Sequence, residues 1–211
     1  MQPTRDDDEL ELELEAPLVA APPVRPRPDS RQVVVAQIGD GPALDPAVYL
    51  DVRAIETMFV DAQRHQEYET GGLLIGELCQ DAAGTYLRVI SALPAGQTER
   101  SPVSVTFTHR AWNEMLAHKE SLYPDHEVVG WYHTHPRMRV FLSAPDRFIH
   151  RSFFGRPHDI AIVLDLHKRE WAVFRWHADC IEVAKQFFVY GANPSDGARI
   201  PGIIGQFGPF A

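Results

Sequence analysis

The chain of 211 residues carries 20 basic and 29 acidic side chains, 10 histidines and only 2 cysteines, and 45% of its residues are hydrophobic. This composition is typical of a soluble globular domain, and two cysteines exclude a disulfide framework, so a cytoplasmic location is expected. The chain has no apolar run near the roughly 18 residues that a membrane span needs, and its net charge of −9 argues against nucleic-acid binding.

The charge and proline pattern predicts three parts. Residues 1–15 hold seven acids against one base, and five prolines follow between positions 17 and 28. Like charges repel and proline supports neither helix nor sheet, so 1–30 is predicted to be a disordered tail. The alternating ELELELE segment leaves open the alternative of a strand added to a partner. A domain over 31–190 and an irregular Gly/Pro-rich tail over 191–211 complete the predicted organisation.

In chain order, the hydrophobic patterns predict strands and helices in mixed succession. Short β-branched or apolar runs predict strands at 31–38, 48–52, 71–78, 85–93, 103–107, 127–135, 160–166, 170–176 and 180–190. Helical spacing predicts helices at 53–66, 108–124 and 143–154, with Thr108 and Ser143 as candidate N-caps. Because strict βαβ alternation is missing, the sequence predicts an α+β or α/β layered domain with a mixed β-sheet flanked by helices.

One short stretch of the sequence contains most of the candidate metal-ligating side chains. His133 and His135 stand two apart at the predicted end of a strand, where side chains at i and i+2 point to the same side. Asp146 follows eleven residues after His135, and a loop of that length can return its carboxylate to the same point. Two histidines and one carboxylate leave a zinc coordination position open for water, as catalytic zinc sites do. Glu69, before a buried glycine-rich strand, is a candidate base, although a solvated helix-end carboxylate is the alternative.

These residues together resemble the JAMM (MPN-plus) metalloprotease family. The matching stretches are ETGGLLIG at 69–76, VVGWYHTHP at 128–136, and then Leu142, Ser143 and Asp146. Six residues separate Pro136 from Ser143, and two separate Ser143 from Asp146, as in the family pattern. The resemblance covers roughly 45–185 and implies the family's curved mixed sheet with a cytidine deaminase-like core.

The resemblance also implies a role for each matched residue. His133, His135 and Asp146 would bind one Zn²⁺ per chain, Glu69 would act as general acid and base, and Ser143 would stabilise the oxyanion. The zinc ion lowers the pKa of its water and polarises the carbonyl, which is why the reaction needs this set. With all five residues present, the inactive scaffolding branch is disfavoured but remains one alternative.

Two further segments are candidates for substrate contact. Family deubiquitinases fold an insertion over the substrate tail, and its counterpart here is 95–105, in which Val103, Ser104 and Val105 could pair with an extended diglycine tail. An ordinary surface loop is the alternative. Arg137 and Arg139 stand where related enzymes usually carry small residues, often glycine. They make the loop beside the predicted metal site basic. This loop could contact an acidic patch of the substrate, or it could hold the chain's own acidic N-terminal tail.

The resemblance therefore predicts a zinc-dependent isopeptidase that removes ubiquitin or a ubiquitin-like protein, most like the compact prokaryotic members. The expected partners are that substrate and the conjugation enzymes of the same pathway, which in prokaryotes includes antiphage defence, with neither nucleic acid nor membrane. One alternative is a peptidase that trims the C-terminus of a sulfur-carrier protein. Another is a non-catalytic scaffold subunit.

Overall fold

A computed structural model describes residues 21–28, 34–42, 45–96, 109–191, 193–206 and 208–209. The helices are α1 (Val52–Arg64), α2 (His109–Leu122), α3 (Ala144–Phe153) and α4 (Arg199–Gln206), and a 3-10 turn spans Pro194–Ala198. The strands are β1 (Val34–Ile38), β2 (Ala47–Asp51), β3 (Gly71–Asp81), β4 (Gly84–Pro94), β5 (Glu127–Thr134), β6 (Ile160–Asp165), β7 (Glu170–His177), β8 (Cys180–Val183), β9 (Phe187–Gly191) and β10 (Gly208–Pro209).

The strands form one mixed sheet in the order β1-β9-β2-β4-β3-β5-β6-β7-β10, with β8 paired to β7. β3 runs antiparallel to β4 and β5, whereas β5 and β6 are parallel. The apolar face of α1, including Ile55 and Met58, packs on one side of this sheet. Met115 of α2 and Phe154, which caps α3, belong to the cluster on the opposite side. The predicted α+β layered fold with a mixed sheet is therefore confirmed.

A close approach between β3 and β5 builds the end of the sheet that matters for function. Gly71 pairs with His133, and a Cβ added at Gly71 would lie 2.4 Å from the Tyr132 carbonyl oxygen. Only glycine allows the two strands to come this close. Beyond the strand ends, Thr134 N–H donates to Thr70 O over 2.8 Å, which extends the ladder by one pair.

The C-terminal third differs from the sequence expectation in two places. The predicted single strand over 180–190 is two strands, β8 and β9, which pair with opposite regions of the sheet, β7 and then β1 and β2. The segment after residue 191 was expected to be irregular, but it contains α4, whose Ile200 is buried in the main core. Its apolar spacing was hidden by Pro201 and Gly202, which weaken a helix prediction. The predicted strand at 103–107 and the Thr108 cap lie outside the described residues.

Part of the predicted disordered tail lies against the sheet. Arg25 N–H donates to Gln80 O, and Gln80 N–H donates to Pro23 O, both over 3.0 Å. β5 pairs with β3 only as far as Gly76, so the remainder of this β3 edge is available to the chain at Val24. Proline is compatible with such edge pairing because its missing N–H faces away from the ladder. The boundary at residue 30 thus does not separate 21–28 from the fold.

Candidate metal centre

Two histidine side chains converge at the carboxyl end of β5. The alternation of the strand sends His133 to the same sheet face as Trp131, whose ring stacks on the His133 imidazole with centroids 4.5 Å apart. His135 N–H donates to Leu164 O of β6, which holds the chain in extended form beyond the strand end. The Nε2 atoms of the two histidines lie 3.1 Å apart, and both side chains are buried.

Asp146 reaches the same point from the first turn of α3. Ser143 is the N-cap of this helix, and Pro145 occupies the first turn, where its missing N–H costs nothing. The Ser143 N–H and hydroxyl both donate to Asp146 Oδ2, over 2.7 and 2.6 Å. The same oxygen lies 3.4 Å from His133 Nε2 and 3.5 Å from His135 Nε2. The capping box that starts α3 therefore also aims the carboxylate at the histidines.

The electrostatics favour the protonation states that bind a metal. Burial by itself would raise the pKa of Asp146, but hydrogen bonds involving His133, His135 and Ser143 outweigh it and hold that pKa well below its ordinary value. Burial lowers the pKa of His133, against the opposing effect of Asp146. At neutral pH the cluster thus presents an ionised carboxylate and a neutral His133 imidazole, the forms that act as ligands.

The donor set fits a zinc ion. Ligand atoms of His133, His135 and Asp146 all lie within 4.8 Å of one another. The Nδ1 atom of His135 is 3.1 Å from the Arg139 carbonyl oxygen, which can only accept, so Nδ1 carries the proton and Nε2 offers its lone pair to the cluster. A ligating histidine normally has such a partner on its other nitrogen. The three residues predicted as ligands are therefore brought together in a form suited to zinc.

The predicted base Glu69 directly precedes Thr70, at the end of β3 that pairs with the histidine end of β5. Gly71 pairs with His133, and the Thr70 carbonyl accepts the Thr134 N–H. Glu69 is only 5% exposed, which disagrees with the alternative of a solvated helix-end carboxylate. Thr134 faces away from the cluster, and its Oγ1 accepts the Thr70 N–H over 2.9 Å.

A buried carboxylate that the sequence reading missed fixes the loop after the histidines. Asp165, at the end of β6, is 0% exposed and accepts backbone N–H groups from Arg137 and Arg139 over 3.3 and 2.7 Å. It also accepts the N–H groups of His167 and Lys168 in the following turn. By holding Arg139, Asp165 places the carbonyl that orients His135. An acidic residue that ends an apolar strand just before a turn was the sequence signal that could have indicated it.

His150, which the sequence left without a role, lies behind the cluster. The Trp131 indole N–H donates to His150 Nδ1 over 3.2 Å, and Trp131 in turn stacks on His133. Burial lowers the pKa of His150 to about 4, so the ring is neutral and acts as an acceptor at neutral pH. His150 thus supports the wall of the site through Trp131.

The predicted substrate contacts divide into two groups. Val103, Ser104 and Val105 lie outside the described residues. Arg137 and Arg139 lie on the loop next to the cluster, and their side chains are mostly exposed. The described residues contain no helix long and apolar enough to cross a membrane.

Comparison with known proteins identifies related chains. A family model described as JAB1/Mov34/MPN/PAD-1 ubiquitin protease matches residues 45–155, which is 111 of the 211 residues and includes all five motif side chains. The chain is 31% identical over 131 residues to the 26S proteasome regulatory subunit rpn11 of Schizosaccharomyces pombe (strain 972 / ATCC 24843), covering 61% of this chain and 42% of that protein. It is 28% identical over 136 residues to the NAD(+) hydrolase TcpA of Theionarchaea archaeon (strain DG-70-1), covering 64% of this chain and 38% of that protein.

The chain therefore spans less than half the length of these two relatives. Among solved structures, protein DSY2949 from Desulfitobacterium hafniense superposes with a TM-score of 0.49 at 20% identity, over 68% of this chain and 92% of that one.

Proposed function

The chain belongs to the JAB1/Mov34/MPN/PAD-1 ubiquitin protease family, and from that premise we propose that it is a zinc-dependent isopeptidase. Its substrates would be conjugates or precursors of ubiquitin or a ubiquitin-like protein, which it would cleave after the C-terminal tail of that protein. A prokaryotic ubiquitin-like conjugation pathway is one setting for this activity. The observation that carries the proposal is the buried convergence of His133, His135 and Asp146.

The chain's own residues supply the remaining parts of a hydrolysis. His133, His135 and Asp146 would hold the zinc ion, which when bound provides Lewis-acid polarisation of a carbonyl and a water of lowered pKa. Glu69 accepts a proton from the attacking water and delivers it to the lysine nitrogen as the C–N bond breaks. Burial keeps Glu69 out of bulk water, so the proton it holds is passed to the leaving group.

Ser143 has two competing uses for one hydroxyl proton. In the structure the hydroxyl donates to Asp146 Oδ2 over 2.6 Å, which orients the ligand. Donation to an oxyanion would require the hydroxyl to leave that partner, because a hydroxyl carries a single donor. We therefore assign Ser143 first to holding Asp146, and the oxyanion role stays a prediction.

The test is cleavage of ubiquitin and ubiquitin-like conjugates and C-terminal fusions, followed by mass spectrometry with bound zinc counted in each sample. We expect scission after the diglycine by the wild type, lost with a chelator. Glu69→Gln should retain zinc and reduce turnover by about 10²–10⁴-fold, the range for a general acid–base group. Glu182→Gln, the same change at an exposed position on β8, is the matched control and should cleave normally.

Other outcomes separate the alternatives. Trimming of C-terminal fusions without any cleavage of isopeptide conjugates would favour the sulfur-carrier peptidase. Absence of both cleavage and bound zinc would favour the non-catalytic scaffold. Full activity of Glu69→Gln would contradict the proposed mechanism directly.

A further inference from the structure

Two arginines beside the metal cluster occupy strained backbone conformations. Arg137 and Arg139 have φ of 66° and 68°, in the left-handed region. For a residue with a Cβ this region is sterically unfavourable, whereas glycine adopts it freely. The other two non-glycine residues with positive φ in the described chain, Arg169 and Ala178, lie in the tight turns that join β6 to β7 and β7 to β8, where such angles are usual.

The loop does not need arginine side chains in order to fold. Its backbone is fixed by the N–H groups that donate to Asp165 and by the Arg139 carbonyl that faces His135, and a glycine would make all of these bonds. At the surface, the Arg137 side chain forms an ion pair with Glu67 over 3.1 Å, and that of Arg139 one with Glu170 over 3.0 Å.

These ion pairs do not offset the strain. The Arg137 and Arg139 side chains are 63% and 64% exposed, and solvent-exposed ion pairs contribute little to stability. Two strained conformations that present exposed guanidinium groups next to the metal cluster indicate that these side chains are retained for binding.

The sheet order places these arginines on one side of the cluster. The insertion expected to hold the substrate tail leaves the sheet at the end of β4, which lies two strands from β5 on one side. The arginine loop is held at Asp165 of β6 and Glu170 of β7, on the other side of β5. A tail that enters over β4 and β3 therefore leaves the acceptor polypeptide, with its lysine, on the side of Arg137 and Arg139.

We propose that Arg137 and Arg139 bind carboxylates of the acceptor polypeptide, so that the site selects lysines flanked by Asp or Glu. This inference rests on the proposed isopeptidase function. A guanidinium carries five N–H donors in a planar fork, so each arginine can hold a substrate carboxylate beside, or in exchange for, its present partner. Glu67 and Glu170 show that a carboxylate fits both positions.

The experiment measures binding separately from cleavage. Fluorescein-labelled nine-residue peptides with a central lysine, flanked either by glutamates or by serines, are titrated by anisotropy with the zinc-loaded full chain at low and high salt. We expect the glutamate peptide to bind about 10-fold more tightly at low salt, and this preference to disappear in the Arg137→Gly/Arg139→Gly double variant. In each single glycine variant, the affinity for the glutamate peptide at low salt should fall by about 3-fold. Arg25→Ala, which removes one charge near Gln80 at the far end of β3, is the control and should bind as the wild type does.

Two controls exclude trivial explanations. The glycine substitutions relieve left-handed strain, so the double variant should retain its zinc and melt no lower than the wild type. Arg137→Lys/Arg139→Lys keeps both charges and should keep most of the preference. Equal binding of the two peptides by the wild type, or an unchanged preference in the double glycine variant, would overturn the inference.

Cleavage then separates this inference from the proposed function. If conjugates are cleaved, those with acidic flanks should show the higher kcat/KM, and only this excess should vanish in the double glycine variant. Cleavage at equal kcat/KM regardless of flanks would refute the inference and leave the function standing. Arginine-dependent peptide binding without cleavage of any conjugate would refute the function, and with it the assignment of this surface to an acceptor chain.

Discussion

At the scale of single residues, Asp165 determines whether the histidines can act together. The carboxylate is fully buried and accepts four backbone N–H groups from two loops, one of which carries the carbonyl that faces His135. Because Arg137 and Arg139 resist their left-handed backbone angles, the loop needs this anchor to stay in place. The orientation of His135 is thus set from β6, a strand that contributes no ligand.

Asp165→Asn is expected to weaken zinc binding. The amide keeps one acceptor oxygen but turns an NH₂ group toward a backbone donor, which leaves buried N–H groups unsatisfied at a cost of about 1–3 kcal/mol each. Loss of a group that orients a metal ligand typically reduces affinity about 10–100-fold, measured here by competition with a chromophoric chelator. Asp159→Asn, at the other end of β6, breaks the Arg156 contacts and should cost stability without changing zinc affinity. Wild-type affinity in Asp165→Asn would contradict the assignment.

Ser143→Ala distinguishes the two uses of the serine hydroxyl. The N-cap bond is lost, so the free energy of unfolding should fall by about 1 kcal/mol in a urea titration. If the hydroxyl mainly holds Asp146, the affinity for zinc should fall together with the stability. If the hydroxyl is instead an oxyanion donor, its loss should lower kcat by about 10²–10³-fold and leave the zinc affinity unchanged. We expect the fall in affinity, and an unchanged zinc affinity together with reduced kcat would assign Ser143 to the oxyanion instead.

At the scale of elements, α3 is coupled to β5 through a neutral histidine. His150 on α3 accepts the Trp131 indole N–H and stacks between Phe154 and Trp176. The same short helix carries Asp146 in its first turn. The packing that excludes water from His150 therefore also fixes the position of the Asp146 carboxylate relative to β5. Protonation of this ring would place a charge in an apolar layer of the fold.

Stability should therefore depend on pH in a defined window. Unfolded, His150 titrates near 6.5, but in the folded chain its pKa is lowered to about 4, so the unfolded state binds more protons between these values. The contribution of neutral His150 to the free energy of unfolding is complete above pH 6.5 and falls as the pH decreases toward 4. At pH 5 this contribution is about 2 kcal/mol smaller than its full value. Urea unfolding with chelator present should show a shallower pH dependence in His150→Asn than in the wild type. His177→Asn, at an exposed position, should leave the slope unchanged, and equal slopes in all three proteins would contradict the prediction.

The elements that could be predicted are those with a clear local period. The apolar spacing of α1 and the runs of β3, β6 and β7 determine their own structure, and the structure confirms them within a few residues. α4 was missed because Pro201 and Gly202 oppose it locally, whereas the burial of Ile200 in the core stabilises it. The ligands were found because two histidines and an aspartate at this spacing, with Pro136 and Ser143 between them, match the family pattern. Asp165 was not, because its partners are backbone groups brought to it by two loops.

At the scale of the whole molecule, the N-terminal segment 21–28 closes an edge of the central sheet. Arg27 holds Asp81 through two hydrogen bonds of 2.6 and 2.8 Å, and the Tyr86 hydroxyl lies within hydrogen-bond distance of the carbonyl oxygens of Arg25 and Pro26, at 3.2 and 3.0 Å. Arg25 also pairs with Glu77 over 3.1 Å. An uncovered edge of this kind invites pairing with other chains, so the segment protects the sheet as well as stabilising it.

Two truncations test this arrangement. Deletion of 1–20 leaves every one of these contacts in place and should not change Tm, whereas deletion of 1–28 removes them together. At a net contribution of about 1 kcal/mol for such bonds, less the entropy regained by the chain, we expect a loss of about 2 kcal/mol and a Tm lower by about 5 °C. Zinc affinity should be the same in both, because Gln80 and Gly71 lie about 30 Å apart along β3. Equal Tm values for the two truncated chains in calorimetry would show that the segment contributes nothing to stability, and a loss of zinc binding would show that the two ends of β3 are coupled.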